Sequence, residues 1–378
     1  IVIALESPGW DEKANAAKGE VGGDCSMMFE QMSLPLLSAI FAGAAAIVWF
    51  AGIYVSKTTD VLSSRFGLGE ALGGAVLLAI VTNLPEIAIT ASGAMRSQLD
   101  IATGNILGGI AIQTVVLVVL DVFGFGKKAP LTSHAASLDL VLEAVLVIGM
   151  LTIVVMGHQL PESLIWRGIT PDDVLICGTW IAGLYLIDKS RGALPWQSHG
   201  DAPGGRRHRT ARQKRDRAEA EKSSTAWAAI VFGIAAGATL VAGVILQQTS
   251  ETMAKALGMS GVVFGATILA AVTALPEIST GLAAVGLGDY KLAMSDIFGG
   301  NAFLPVVFVG ATVISGKAVL PHAAKSDMYL TALGILLTAV YIFGLIFRPR
   351  RQIARMGIDS LVVLVLYVLG VAGLFALE

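Results

Sequence analysis

Val81-Thr82-Asn83-Leu84-Pro85-Glu86 and, 191 positions later, Val272-Thr273-Ala274-Leu275-Pro276-Glu277 decide how this chain reads. Each hexapeptide sits inside a long apolar run, and in each a proline is followed at once by a carboxylate. Thr82 and Glu86 are four residues apart, as are Thr273 and Glu277, so each pair shares one helix face. Pro85 has no amide hydrogen and leaves the carbonyl of Val81 without its helical partner; Pro276 does the same to Val272. A broken helix at membrane depth is tolerated only where it lines a cavity or an ion site.

The match continues outward from the hexapeptides. At the same offset, Asn105-Ile106-Leu107-Gly108-Gly109 falls on Asp296-Ile297-Phe298-Gly299-Gly300. After a three-residue shift, His134-Ala135-Ala136 meets His322-Ala323-Ala324, and Asp139 meets Asp327. An ordered series of this kind is an internal repeat. Apolar runs bounded by charges, Gly or Pro predict ten helices, over 34–56, 71–95, 99–122, 138–157, 171–188, 225–248, 261–286, 290–314, 327–347 and 357–377. Five per repeat is an odd number, so the second half enters the membrane from the opposite side. The fold expected is an all-α integral membrane protein of ten transmembrane helices in two inverted five-helix repeats. Its parts are an acidic N-terminal tail (1–33), the first repeat (34–188), a basic cytoplasmic linker (189–224) and the second repeat (225–378).

Composition agrees with that layout. Of 378 residues, 55% are hydrophobic and 14% charged, where an ordinary soluble domain carries about 25% charged residues. Such numbers exclude a disordered chain, a disulfide scaffold and an ordinary soluble enzyme. Cys25 and Cys177 are the only cysteines, and no zinc-type Cys/His spacing is present. The net charge of −2 hides a segregation: residues 1–33 hold six acids and two bases, while 189–224 hold ten bases and four acids. With the N-terminus outside, inner segments hold 19 Lys and Arg and outer segments seven. The positive-inside rule then puts both termini outside and the linker in the cytoplasm. The linker's basic run, Arg206 to Arg217, reads as a solvated loop, and no nucleic acid is expected as partner.

Most of the 28 acids lie in tails, loops or at helix ends; Glu86, Glu277 and Asp296 lie deep in apolar spans. A charge at the bilayer centre costs at least about 2.5–3.5 kcal/mol on insertion scales, so such residues face the protein interior and serve ion paths. Together with the Asn105 amide, the hydroxyls of Thr82 and Thr273 and freed carbonyls, they make a set of oxygen donors. Hard cations such as Ca²⁺ take about six to eight such ligands, and soft metals want Cys, His or Met. Three carboxylates around one divalent ion leave one negative charge, which a proton or a monovalent cation fills; three sodium ions would neutralise the set as well. Glu143, Asp121, His134 and His322 read as interfacial or capping residues near helix ends.

At these residues the sequence resembles the cation/calcium antiporter superfamily, particularly its sodium/calcium exchanger branch of bacterial type with ten transmembrane helices. Its hallmark, roughly Gly-Thr-Ser-Leu-Pro-Glu, is matched at 81–86 and 272–277, and its Gly-Asn-Ile-x-Gly-Ser at Gly104 to Gly109 and, in an Asp form, at Ser295 to Gly300. The resemblance implies that Glu86 and Glu277 are the central calcium ligands, that Thr82 and Thr273 add oxygens, and that Asn105 and Asp296 complete the layer. It also implies that the first and sixth helices slide across the core during alternating access. The hallmark serine after the threonine is Asn83 in one half and Ala274 in the other, and Ile101 and Leu292 stand where exchangers often have serine. Those serines help form sodium sites; Asn83 offers a replacement oxygen, while the other three side chains offer none.

The function expected is secondary antiport of Ca²⁺ against Na⁺, with Ca²⁺/H⁺ antiport as the alternative and a cation channel or an intramembrane hydrolase as remote ones. No cofactor is expected. The transported ions, the lipid bilayer of a plasma (inner) membrane and a monomeric working unit complete the expectation.

Overall fold

The computed structural model describes residues 29, 31–65, 73–124, 130–166, 168–190 and 224–377. Most of the acidic tail and most of the basic linker (191–223) lie outside these residues. Helices appear at each of the ten predicted positions. They are α1 (Leu34–Arg65), α2 (Gly73–Thr82) and α3 (Leu84–Met95), α4 (Asp100–Gly124), α6 (Leu138–His158), α7 (Pro171–Ser190), α8 (Thr225–Leu257), α9 (Gly261–Phe264) through α11 (Leu275–Leu287), α12 (Tyr290–Phe303) and α13 (Val306–Ser315), α14 (Lys325–Phe347) and α15 (Ile358–Ala376). Two short turns of helix, α5 (Leu131–Ala135) and a 3₁₀ turn over Leu320–His322, carry His134 and His322. Among the described residues, eight helices are long and apolar enough to cross a membrane. The other two positions are the broken α2–α3 and α7, which carries Asp172, Asp173, Asp188 and Lys189.

Local chemistry sets many of the boundaries. Ser137, Ser224, Ser260 and Asp289 cap helices α6, α8, α9 and α12, each accepting from a backbone N–H three residues on, the usual way to satisfy an orphan donor. Gly258 and Gly288 end α8 and α11 at φ of +67° and +80°, the left-handed turn that glycine makes without strain. Both long helices overrun the prediction: α1 reaches Arg65 and α8 reaches Leu257.

Each proline motif breaks its helix at one residue. Asn83 separates α2 from α3, and Ala274 separates α10 (Ala270–Thr273) from α11. The second half carries two further irregularities. A π turn occupies Gly265–Leu269 ahead of the break, and the predicted 290–314 helix is interrupted at Leu304 and Pro305. Between Arg348 and α15 the basic loop forms a two-stranded hairpin, β1 (Gln352–Ile353) with β2 (Met356–Gly357). Its two turn residues, Ala354 and Arg355, both have positive φ, as a type I′ turn requires.

The core gathers around α4, whose span is 72% buried against 28% for α8. The close approach is made by glycines. A Cβ on Gly104 would lie 2.5 Å from the Val262 carbonyl, one on Gly108 2.3 Å from Ala266 Cα, and one on Gly265 2.4 Å from the Ile101 carbonyl. Residues 261–266 therefore lie directly on α4. The small residues that let membrane helices touch here join the two segments that carry Asn105 and Thr273.

This contact predicts a stability difference. Gly108→Val forces backbone apart and costs about 1–3 kcal/mol or more, whereas Gly43→Ala, inside a helix with nothing within 4 Å of a new Cβ, leaves the melt unchanged or raises it slightly, by up to about 1 kcal/mol. Thermal unfolding of detergent-purified protein, followed by size-exclusion chromatography, checks both.

Candidate ion-binding site

All six residues singled out by the sequence are buried: Glu86, Asn105 and Thr273 at 0% exposure, Glu277 at 1%, Thr82 at 3% and Asp296 at 4%. Glu86 and Glu277 sit in the first turn of α3 and α11, directly after the breaks. Helix N-termini present unpaired N–H groups and a partial positive charge there, a favourable position for a carboxylate. The two halves cross over at this point. Thr273 stands beside the Glu86 carboxylate and Thr82 beside that of Glu277. Glu86 and Asp296 are both near enough to Glu277 to act on it electrostatically. Thr273 Oγ1 donates to Asn105 Oδ1 at 3.3 Å, so all six residues belong to one cluster.

No oxygen of Glu86 or of Glu277 makes a hydrogen bond of ordinary distance and angle among the described residues, with the threonine of the other half standing beside each. Buried polar groups are satisfied in the great majority of cases, so four carboxylate oxygens without ordinary hydrogen bonds in one cluster make it the candidate site. Among the described residues, no three His, Cys, Asp or Glu converge tightly enough to hold a metal ion by themselves. Hydroxyl and amide oxygens of Thr82, Thr273 and Asn105 lie in the same cluster. An ion of the hard class fits such a set.

Several residues that shape the cluster were not read from the sequence. Thr280, one turn after Glu277, donates to Asp296 Oδ2 at 2.8 Å; its helical spacing from Glu277 was the available signal. Asn301 reaches across to α4, donating to the Ile110 carbonyl at 3.4 Å and to Thr114 Oγ1 at 3.2 Å. Asn83 donates to the Ala79 carbonyl at 2.6 Å, and its Oδ1 accepts from Gln113 at 3.4 Å. The oxygen that the sequence offered in place of a serine is thus engaged in fixing the break.

Two expected interfacial acids are in fact buried. Glu143, 6% exposed, accepts from the hydroxyl of Ser295, the neighbour of Asp296, at 2.9 Å. Asp121, fully buried, accepts from Leu131 N, Gly357 N and Ser360 Oγ and ties the hairpin to α4. At the end of the helices, Asp139 pairs with Lys291. His134 packs its ring on Tyr290 at 5.2 Å, and His322 approaches Glu162 at 3.3 Å.

Long apolar helices, two of them broken beside buried carboxylates, define an integral membrane transporter. The family model for the sodium/calcium exchanger protein matches residues 36–170 and 225–376, and the chain belongs to that family. Among curated proteins, it is 28% identical over 302 residues to CaxA of Alkalimonas amylolytica, a protein provisionally named an antiporter; the match spans 78% of this chain and 86% of CaxA. It is 24% identical to the inner membrane protein YrbG of Escherichia coli K12, across 82% of this chain and 88% of YrbG. Among solved structures, the sodium-calcium exchanger NCX_Mj soaked with zero Na⁺ and Ca²⁺ superposes with a TM-score of 0.56 at 18% identity, covering 90% of this chain and 99% of that one. The same exchanger soaked with 2.5 mM Na⁺ and 0.1 mM Ca²⁺ gives a TM-score of 0.55 at 17% identity. These two likenesses establish a shared fold.

The Thr280 bond carries its own test. Thr280→Val keeps the shape, removes the donor to Asp296 and should lower stability by about 1–3 kcal/mol, the range for a buried polar group deprived of a partner; Thr280→Ser should restore most of the loss. Chemical or thermal unfolding of the purified variants measures it.

Proposed function

We propose that this protein exchanges Ca²⁺ for Na⁺ across a membrane by alternating access, with Glu86 and Glu277 as the central ligands. The observation that carries the reading is the crossed arrangement of the two buried carboxylates, each beside the threonine of the other half and within electrostatic reach of the other. Thr82, Thr273, Asn105 and Asp296 supply the remaining oxygens. Residues 34–188 and 225–378 act as two inverted five-helix repeats, with the 189–224 linker on the cytoplasmic side and both termini outside. The membrane is a bacterial-type inner membrane, the working unit is a monomer, and no cofactor takes part.

A second reading, exchange of Ca²⁺ for H⁺, is favoured by one specific observation. Ile101, Leu292 and Ala274 stand where sodium-site serines are expected from the resemblance, and their side chains carry no oxygen. A carboxylate that takes up a proton needs no such shell.

Uptake of ⁴⁵Ca²⁺ into proteoliposomes under imposed gradients separates the readings. Acceleration by a sodium gradient at fixed pH selects sodium coupling, and acceleration by a proton gradient without sodium selects proton coupling. A response to neither sinks the antiporter, and flux that needs no ion on the opposite side identifies a channel. Glu86→Gln and Glu277→Gln should each nearly abolish uptake; near-normal uptake in either would show that the site lies elsewhere. Asp296→Asn should fold normally and change ion selectivity or the pH profile of uptake.

A further inference from the structure

Glu143 is a buried carboxylate that the ion-site cluster does not include. It lies on α6, away from both proline motifs, and is 6% exposed. A carboxyl within a membrane-spanning helix is costly and by default marks a function. Its Oε1 accepts from the Ser295 hydroxyl at 2.9 Å, and Ser295 is itself 8% exposed. One turn nearer the start of both helices, Asp139 of α6 pairs with Lys291 of α12. Asp139 and Glu143 are four residues apart, as are Lys291 and Ser295, so each pair shares one helix face. α6 is thus joined to α12 by an outer ion pair and an inner bond between carboxylate and hydroxyl.

The inner bond falls beside the site. Ser295 immediately precedes Asp296, whose Oδ2 accepts from Thr280 of α11 at 2.8 Å. The turn of α12 that presents Asp296 is therefore held from two sides, by Glu143 through Ser295 and by Thr280 at the carboxylate. Asp296 is within electrostatic reach of Glu277, and two ionised carboxylates repel, so this turn needs holding. The other half is built differently. By the repeat match, Glu143 corresponds to Thr331, whose hydroxyl donates to the Asp327 carbonyl of its own helix at 2.8 Å. Ser295 corresponds to Gly104, which lies against the Val262 backbone. The half that carries the neutral Asn105 is held there by backbone contact, and the half that carries Asp296 by polar bonds.

We propose that Glu143 is a positioning residue of the ion site: through Ser295 it holds the turn that presents Asp296 against the repulsion of Glu277, and so sets the affinity for a divalent cation. The inference rests on the antiport reading above, with Asp296 as a ligand. Oxygen ligands of Ca²⁺ lie about 2.3–2.6 Å from the ion, so a carboxylate that drifts outward is lost to it. Removing a group that orients a metal ligand typically costs about 10–100-fold in metal affinity.

The test measures the initial rate of ⁴⁵Ca²⁺ uptake into proteoliposomes against Ca²⁺ concentration, with the thermal midpoint as a record of folding. Glu143→Leu removes the acceptor and should raise the half-saturating Ca²⁺ concentration by about tenfold, with the saturating rate changed much less. Glu143→Gln keeps an oxygen that Ser295 can reach and should stay close to the wild type. Ser295→Ala should match Glu143→Leu, and the double variant should be no worse than either, as expected of two residues acting through one contact. An unshifted half-saturation in Glu143→Leu overturns the proposal. An equal loss in Glu143→Gln also overturns it, by making the charge of Glu143 the active property, as does an additive loss in the double variant. Should Glu143→Leu fail to fold, Ser295→Ala decides: a shifted half-saturation supports the proposal and a wild-type value overturns it. A wild type that takes up no Ca²⁺ sinks the antiport reading and this inference with it; a working wild type with an unshifted Ser295→Ala sinks this inference alone.

Discussion

Placing carboxylates in the middle of a membrane-spanning bundle is the constraint on which the rest of this structure depends. An isolated ionised carboxylate in an apolar medium is among the most expensive groups a protein can bury. Glu86 and Glu277 are placed where the backbone itself offers help, in the first turn of a helix that starts inside the bundle. Starting a helix there requires breaking the one before it, and Pro85 and Pro276 do so. Breaking it requires that no lipid reach the exposed peptide groups, and the glycine contacts of α4 with residues 261–266 close the bundle around the site. The oxygen cluster, the broken helices and the glycine packing are thus consequences of one electrostatic requirement.

Much of this was legible in the sequence because it rests on local chemistry. Apolar runs with charged or Gly/Pro punctuation located the ten helical positions, and prolines located the breaks beside both glutamates. The six candidate residues, which the structure gathers into one buried cluster, could be singled out because repeat matching picks out the positions where both halves depart from plain hydrophobicity. What was not legible depends on partners distant in sequence. Glu143 and Asp121 lie near helix ends and read as interfacial; their burial is set by Ser295 in one case and by Leu131, Gly357 and Ser360 in the other. The hairpin turn at Ala354 and Arg355 has positive φ without the Gly or Asn that would announce it.

The halves are related in sequence but not in detail. The π turn at 265–269 follows Gly261, which packs on Asp100 and Ile101. π bulges occur frequently at functional sites, and this one ends about one turn before Thr273. The break at Leu304 and Pro305 in the second half faces an unbroken α4 in the first. A protein with strict two-fold symmetry would present the same polarity toward both sides of the membrane. Here the buried Thr90 corresponds to Gly281, over which the Leu120 side chain lies, and Glu143 bonds Ser295 where the other half has Gly104 on Val262.

Pro85 and Pro276 have one more property, fixed by what leans on them. Gly52 of α1 rests on Pro276 with a virtual Cβ distance of 2.9 Å, and Gly243 of α8 rests on the Pro85 carbonyl at 3.0 Å. Each proline is therefore a fulcrum as well as a helix breaker. The long helix that bears on it presses one residue away from a site glutamate, on the half opposite to its own. At these distances neither helix has room for a side chain larger than hydrogen at its crossing point, so the two glycines set how near α1 and α8 lie to the residue preceding each carboxylate.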